Sequence, residues 1–429
     1  MTTDTDTAEK PLSTDSRHRV RWRLHVVASP DRAWRGRILE LDAAGVQIGR
    51  RTQSAGAVEI DDSTLSRKHL ELMPLPSSGG VALRDLGSHN GTFRGGVQVS
   101  AATLGDAAVL RFGESVAVLE ADSGAAAAFA TPTRDIPGRS ETARVLRAAL
   151  DAAARDGTPA LLFGATGTGK EFAAQEVHRR SGRPGGLLRA PTAGASAAGV
   201  FAAWLGDAAL FGHASALPNS VLLDGLDDFD PAAQLSLLHA LDAASGVKPT
   251  VQWLATAADS FELKLQSGAL RRDLLARFCD HLIRLPPLAD RKPDLLDLAD
   301  AMLPWEEGGG WAQHLEADTV VALLVRPWPA NLRGLLATLR FLRRQYVGAQ
   351  LPVGALPPDS LRQQQAGRAR QRPIPPEFAE MDNLLLRYEG RIERLAEHYG
   401  RHRKQMYRWL ERVGIGDEAL QQYRRGERG

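Results

Sequence analysis

A chain of 429 residues is longer than one hydrophobic core usually organises, so about two to four domains are expected. A net charge of +2, with 53 Lys and Arg against 51 Asp and Glu, excludes a whole-chain nucleic-acid binder and leaves any basic surface to be local. The single cysteine, Cys279, excludes an intrachain disulfide and is expected to be a small buried hydrophobe in a reducing compartment. No segment approaches the ~20 apolar residues of a membrane span, and Met1–Pro11 is polar and acidic where a secretory signal is basic and then apolar. A soluble cytoplasmic protein with no membrane partner is expected.

Residues 1–18 are rich in Thr, Asp and Ser without apolar periodicity, the composition of a disordered tail. From 19 to 120 the pattern changes to short strand-like runs, among them 22–27, 36–41, 81–86 and 115–119, separated by Gly-, Ser- and Pro-rich turns. That spacing predicts an all-β sandwich. Three loop signatures lie inside it: Ile48-Gly49-Arg50, then Leu65-Ser66-Arg67-Lys68-His69, then Asp85-Leu86-Gly87-Ser88-His89-Asn90-Gly91-Thr92-Phe93. On these three signatures, in this order, the segment resembles a forkhead-associated (FHA) domain. The resemblance implies a phosphothreonine-containing protein as partner. Arg50 and Ser66 would contact the phosphate, Arg67 would add charge, Asn90 would hold the peptide backbone and His69 would brace the loop. An Arg fork beside a hydroxyl suits a dianionic phosphate on its own chemistry. Taken alone, Asn90-Gly91 is also an ordinary turn.

Residues 121–136, rich in Ala, Gly, Thr and Pro, read as a linker. Val145, Leu146, Ala149, Leu150 and Ala153 then fall on one helix face. Beyond them helical patterns alternate with apolar strands at 160–163, 220–223 and 251–255, which predicts a parallel α/β sheet. The first of these strands is followed by Gly164-Ala165-Thr166-Gly167-Thr168-Gly169-Lys170 and then by the helix-like run 171–177. Strand, glycine-rich loop and helix in that order are the context of a P-loop. Glycines let backbone N–H groups turn towards a phosphate, the helix N-terminus adds positive partial charge, and Lys170 can reach the terminal phosphates.

Gly138-Arg139-Ser140, the P-loop, Leu210-Phe211-Gly212-His213, the run 268–278, the run 283–288 and Trp328-Pro329-Ala330-Asn331-Leu332-Arg333 follow one another along the chain. On these segments residues 137–346 resemble the AAA+ domain of sigma-54-dependent enhancer-binding proteins, with an α/β nucleotide-binding subdomain at 137–286 and a helical lid at 287–346. The resemblance implies that Gly164, Gly167, Thr168, Gly169, Lys170 and Glu171 hold ATP or ADP. It also implies that Asp224, the Walker B carboxylate, carries Mg²⁺ and that Arg333 acts as a sensor on the lid. Arg271 and Arg277 would reach a neighbouring subunit's γ-phosphate as arginine fingers, which requires a homo-oligomer. Outside the motif these three arginines read as solvated surface.

Departures from that family are of one kind. The glutamate expected after Asp224 is Gly225, and Asp227 and Asp228 stand out of register with the place of a base. Ala257 and Ala258 replace polar sensor residues, Pro191 replaces an asparagine, and the loop that contacts the sigma factor is deleted between His213 and Asn219. The expectation is nucleotide binding with weak or absent hydrolysis, and no remodelling of sigma-54 polymerase.

Residues 347–376 read as a second linker, Gln/Arg/Pro-rich from 362 on. From 377 to 429 the chain is predicted all-α, with apolar faces at Leu384, Leu385 and Tyr388, at Ile392, Leu395, Ala396 and Tyr399, and at Met406, Leu410 and Val413. The run 395–410 resembles a Fis-type helix-turn-helix, which implies double-stranded DNA as partner, read by Arg401, Arg403, Lys404, Gln405 and Arg408. Local basic charge gathers here, since Glu411 is the only acid between Arg401 and Arg412. A basic solvated bundle has the same composition. The combined expectation is a multidomain regulator of transcription that reads threonine phosphorylation, holds nucleotide and acts at DNA. An active sigma-54-dependent activator driven by ATP hydrolysis and a phosphopeptide-binding scaffold are the alternatives.

Overall fold

The computed structural model describes residues 21–51, 57–75, 79–123, 136–190, 219–243, 251–305 and 309–357, and in the C-terminal part 378–388, 390–398, 406–407, 409–410, 415 and 420–423. The chain divides into two units, Met1–Leu356 and Pro357–Gly429.

The first unit opens with the expected all-β sandwich. One sheet holds, in spatial order, β2 (Ile38–Leu41), β1 (Arg21–Ala28), β11 (Ser115–Asp122), β10 (Val109–Phe112), β7 (Thr92–Arg94) and β8 (Val97–Val99). The other holds β4 (Val58–Glu59), β3 (Val46–Gly49), β5 (Leu70–Leu75), β6 (Gly80–Asp85) and β9 (Ala101–Leu104). Alternate residues of facing strands interdigitate, Trp22, Leu24, Leu110, Phe112, Ala117 and Leu119 meeting Ile48, Leu70, Leu72 and Leu83 in one core.

An α/β layer follows. Its five strands, in the order β13 (Leu187–Arg189), β14 (Asn219–Leu223), β15 (Val251–Ala257), β12 (Ala160–Phe163) and β16 (His281–Arg284), are all parallel. The helices are α1 (Glu141–Asp156), α2 (Lys170–Arg180), α3 (Pro231–Ala243), α4 (Phe261–Gln266) and α5 (Arg272–Ala276). Helix α1 starts at Ser140, whose side chain accepts from Ala143 N, and stops at Gly157 in the left-handed conformation. Its buried face differs from the periodicity. Val145 is 43% exposed, and Arg147 is buried instead, with Nη1 donating to Ile136 O at 2.9 Å and Gly138 O at 2.8 Å. A guanidinium that satisfies two buried carbonyls takes a place that a count of apolar residues assigns elsewhere. Cys279 is also corrected, being exposed rather than buried, because Phe278 takes the inward position of that turn.

The lid comprises a 3₁₀ segment at Leu288–Asp294 and helices α6 (Leu295–Met302), α7 (Trp311–His314), α8 (Ala317–Val325) and α9 (Asn331–Gln345). It does not stand apart from the sandwich. Every residue of β11 from Ser115 to Glu120 is buried. Val116 and Val118, together with Val27, Ala28 and Val109, turn away from the sandwich core and join Leu295, Trp311, Leu315, Val320 and Leu324 of the lid in a second core. Helix α8 lies against β10 and β11, and α7 against β1. Polar ties ring this contact: Arg111 Nε to Asp318 Oδ1 at 2.8 Å, Lys292 Nζ to Ala107 O at 3.3 Å, and Arg139 Nη1 to Gly36 O. Residues 347–356, expected as linker, belong to the lid as well. Leu351 is buried, its N donates to His314 O at 2.8 Å, and its O accepts from Thr319 Oγ1 at 2.8 Å.

The second unit contains α10 (Phe378–Arg387) and α11 (Ile392–His398), with a core of Met381, Leu385, Ile392, Leu395, Met406, Trp409, Leu410, Ile415, Leu420 and Tyr423. The predicted apolar positions of 384–410 that are described are buried or partly buried in it. No helix among the described residues is long and apolar enough to cross a membrane.

Trp311, fully buried in the second core with Nε1 donating to Leu303 O at 2.8 Å, tests its shared character. Trp311→Ala is expected to cost about 3–5 kcal/mol in urea denaturation and to lower the midpoint for lid and sandwich together. A sandwich that keeps its own midpoint would contradict the shared core.

Candidate functional site

Two candidate cradles, each built on glycine-containing loops, emerge from these elements. The first lies at the C-terminal edge of β12. Gly164, Gly167 and Gly169 all have positive φ, and a Cβ at Gly167 would fall 2.3 Å from Ala330 O, so glycine is required there on two counts. The loop runs directly into α2, whose first-turn N–H groups have no partner within the helix. Lys170 Nζ donates to Gly164 O at 2.7 Å and Ala165 O at 3.2 Å, and Thr168 Oγ1 donates to Ala165 O at 2.8 Å. Burial lowers the Lys170 pKa from its ordinary value, against the opposing pull of Asp259, Asp224 and Asp227 and with a further lowering from Arg333. Arg333 borders the same loop, its Cβ 3.4 Å from where a Cβ on Gly167 would stand. Glu171 is exposed and pairs with Arg189 on the outside of α2.

Asp224 directly follows β14, with an exposed side chain whose Oδ1 accepts from Thr256 Oγ1 at 2.7 Å. The same hydroxyl accepts from Gly225 N at 2.9 Å, so Thr256 orients the carboxylate and the turn after it. Gly225 adopts a φ of 70°. The next acids are tied down: Asp227 accepts from Ala258 N at 3.2 Å and pairs with Lys264 Nζ at 3.0 Å, and Asp228 pairs with the same ammonium at 2.6 Å. Burial lowers the Lys264 pKa, but hydrogen bonds to Asp228 and Asp227 outweigh it and leave the pKa raised. Arg271 and Arg277 are exposed, paired with Asp273 at 2.5 Å and Asp242 at 2.7 Å. Among the described residues no group of three or more His, Cys, Asp or Glu could hold a metal ion by itself.

Asn331 was not singled out from the sequence, although the motif around Arg333 contains it. Its φ is +47°, uncommon for a residue other than glycine. Its Oδ1 accepts from Leu288 N at 2.9 Å and its Nδ2 donates to Thr166 O at 2.9 Å, while Leu332 N donates to Gly167 O at 3.0 Å. The start of α9 thus grips the outer side of the P-loop. Lys264 and Thr256 were likewise missed as site residues, since their partners are distant in sequence.

The second cradle lies at one end of the sandwich. A Cβ on Gly49 would fall 2.2 Å from Arg67 O, and Arg50 N donates to Ser66 O at 3.0 Å, so the two loops touch along their backbones. Arg50, Arg51, Arg67 and Lys68 are exposed from that junction. Ser66 Oγ accepts from His89 N at 2.9 Å, which leaves the hydroxyl proton free to donate outward. Asn90 Nδ2 donates to Thr64 O at 2.7 Å. His69 is fully buried beneath them, with Nδ1 accepting from Ser66 N at 3.2 Å, which places the proton on Nε2, 3.2 Å from Gly91 O. Two buried or half-buried acids, Asp62 and Asp85, pin these loops. Asp85 accepts from Gly87 N, Ser88 N, Ser88 Oγ and Thr92 Oγ1, and these bonds overcome burial and hold its pKa below the ordinary value. Asp62 Oδ1 accepts from Thr64 N and Oγ1, and its Oδ2 from Glu114 N and Ser115 Oγ.

The remaining predicted site residues, Arg401, Arg403, Lys404, Gln405 and Arg408, lie outside the described residues, as do Pro191 and the segment 210–218.

Comparison with known proteins finds relatives of both parts of the first unit. Residues 46–113 match the FHA domain family and residues 137–288 match the sigma-54 interaction domain family. It is 29% identical over 253 residues to the DNA-binding transcriptional regulator NtrC of Klebsiella pneumoniae, covering 53% of each chain. It is 26% identical over 326 residues to the nitrogen assimilation regulatory protein NtrX of Azorhizobium caulinodans, covering 67% of this chain and 70% of that one. The chain spans about half the length of the first of these relatives. A crystal structure of NtrX from Brucella abortus in complex with ADP is similar at 21% identity over 66% of this chain and 70% of that one, with a TM-score of 0.43.

His69 generates a prediction. Burial holds its pKa below the ordinary 6.5, so the neutral ring is the form the folded state keeps. Its contribution to stability is fully present above the unfolded pKa and is lost as pH falls through the folded one. Thermal unfolding of the full chain is expected to lose stability below about pH 6.5, and His69→Gln is expected to flatten that dependence. An unchanged slope in the variant would contradict this role.

Proposed function

We propose that this chain is a transcription regulator that reads phosphothreonine through its sandwich, holds a nucleotide on its P-loop without turning it over at a useful rate, and binds DNA through its C-terminal unit. The observation that carries the reading is the surroundings of Asp224. Everything that grips phosphate is present: glycines of positive φ, the free N-terminal turn of α2, Lys170 and Arg333. Asp224, oriented by Thr256, suits Mg²⁺, which needs only one or two carboxylates beside phosphates and water. Directly after Asp224, no described residue offers a free carboxylate to activate water. Gly225 offers no carboxylate, and Asp227 and Asp228 are held by Lys264, with Asp227 also bound to Ala258 N. A base already paired with an ammonium is a poor proton acceptor.

A bound ATP would supply the phosphates on which the loop amides and Lys170 close, and the residues of this chain bind and orient rather than cleave. At the sandwich, Arg50 and Arg67 supply fixed positive charge and Ser66 a donor, a set that distinguishes a dianionic phosphate from an unmodified hydroxyl. The relatives named as DNA-binding regulators support a DNA target for the C-terminal unit. Such a protein works in the cytoplasm, as an oligomer if Arg271 and Arg277 meet a neighbour's nucleotide.

ATP binding and phosphate release measured side by side on the full chain test this reading. Saturable binding lost in Lys170→Ala, with release at background in both proteins, is expected. Release at the rate of an active enhancer-binding protein assayed alongside would overturn it. In the same preparation, Arg50→Ala is expected to weaken a phosphothreonine peptide at least about tenfold, roughly the worth of one charge-assisted contact, with no effect on ATP.

A further inference from the structure

The lid has two working faces. One is the core it shares with β1, β10 and β11, through Val116 and Val118 on the sandwich side and α8 on the other. The other is the start of α9, which grips the P-loop through Asn331 Nδ2 to Thr166 O and Leu332 N to Gly167 O. Between the faces runs the turn from α8 to α9. Trp328 fixes that turn, being buried in the shared core with Nε1 donating to Leu323 O of α8 at 3.0 Å. Three residues on, Asn331 reaches the nucleotide loop.

The grip falls on the carbonyl side of the loop. When the oxygen of Thr166 is held outward by the lid, its peptide plane turns the Gly167 N–H to the opposite side, while Thr168 N donates to Ala165 O at 3.4 Å and closes the loop on itself. The lid in this position presets the cradle rather than obstructing it. A preset cradle binds more tightly because the ordering has been done before the ligand arrives.

The far end of the same path reaches the second cradle. Asp62 holds the 62–66 loop through Thr64 and also holds the β10–β11 turn through Glu114 N and Ser115 Oγ. β10 and β11 are the strands on which α8 rests. A second tie runs along the segment before α1. Arg139 donates to Gly36 O of the sandwich, and Asp294 of the lid accepts from Arg139 N at 2.7 Å, Ser140 N at 2.8 Å and Ser140 Oγ at 2.5 Å. A Cβ on Gly138 would fall 2.5 Å from Asp294 Cγ, so this clamp closes on the backbone itself.

We propose that the docked sandwich sets the nucleotide affinity of the P-loop through the lid, and that a phosphothreonine ligand and a nucleotide strengthen each other's binding across this path. Each ligand orders one end of a unit whose middle is a packed core, so the second to bind finds less left to order. Linkage then makes the effect reciprocal: ADP raises affinity for the phosphopeptide by the factor by which the peptide raises affinity for ADP. The proposal rests on the nucleotide and phosphothreonine readings given above.

The test uses the full chain and ADP. Hydrogen exchange of the wild type is expected to show increased protection of 109–112 and 115–122 when ADP is added, although ADP would sit on the opposite face of the lid. Val118→Asp puts a charge on the lid-facing side of β11 while sparing the sandwich's own core. It is expected to weaken ADP at least about fivefold, the lower end of ordinary coupling between sites. If wild-type chain binds ADP and the exchange of β10 and β11 does not change, the coupling is overturned, whatever the variant does. If wild-type chain binds no ADP at all, the nucleotide reading falls and the coupling with it. A phosphothreonine peptide that fails to bind, with the ADP effects intact, overturns the phosphothreonine arm alone.

Discussion

A strand that is apolar on both faces has to be covered on both. β11 reads Ser-Val-Ala-Val-Leu-Glu, and each of these side chains is buried. Antiparallel sheets commonly leave one face to water, which gives a polar residue at every second position. Here Ala117 and Leu119 fill the sandwich while Val116 and Val118 need something else, and the lid supplies it. The sandwich is therefore not a bead on a linker. Its six-stranded sheet shares a core with the lid, and the start of α9 in that lid contacts the P-loop.

The two cradles solve similar problems with different means. At the P-loop an anion would be met by backbone, made available by three glycines of positive φ and by a helix start, with Lys170 and Arg333 beside it. At the sandwich it would be met by side chains, and the backbone serves to bring Arg50 beside Ser66 and Arg67. Each depends on buried polar groups set beneath it. His69 and Asp85 fix the sandwich loops, and Thr256 and Asn331 fix the turn after Asp224 and the P-loop. Such groups are costly to leave unpaired, so their loss is felt well beyond the site.

Much of this could be read from the chain. The strand runs at 22–27, 36–41, 81–86, 115–119, 160–163, 220–223 and 251–255, the P-loop and the Ser66–His69 signature announce themselves because local pattern and local chemistry coincide there. The rest depends on contacts between distant residues. Arg147 takes a buried place on α1 because two carbonyls of 136–138 await it, and no periodicity records that. Residues 347–356 look like linker until Leu351 is seen between His314 and Thr319. Cys279 looks like a core residue until Phe278 takes the inward position. The continuous apolar run of β11 was visible as letters, and its meaning, a second covered face, required knowing what lay across from it.

The central claim is that holding nucleotide and spending it have been separated in this chain. The most direct measurement is open-complex formation at a sigma-54 promoter by purified sigma-54 polymerase, with this protein and ATP added, beside an active enhancer-binding protein as reference. The account predicts none above the level seen without the protein. Open complexes that require both this protein and hydrolysable ATP would contradict it.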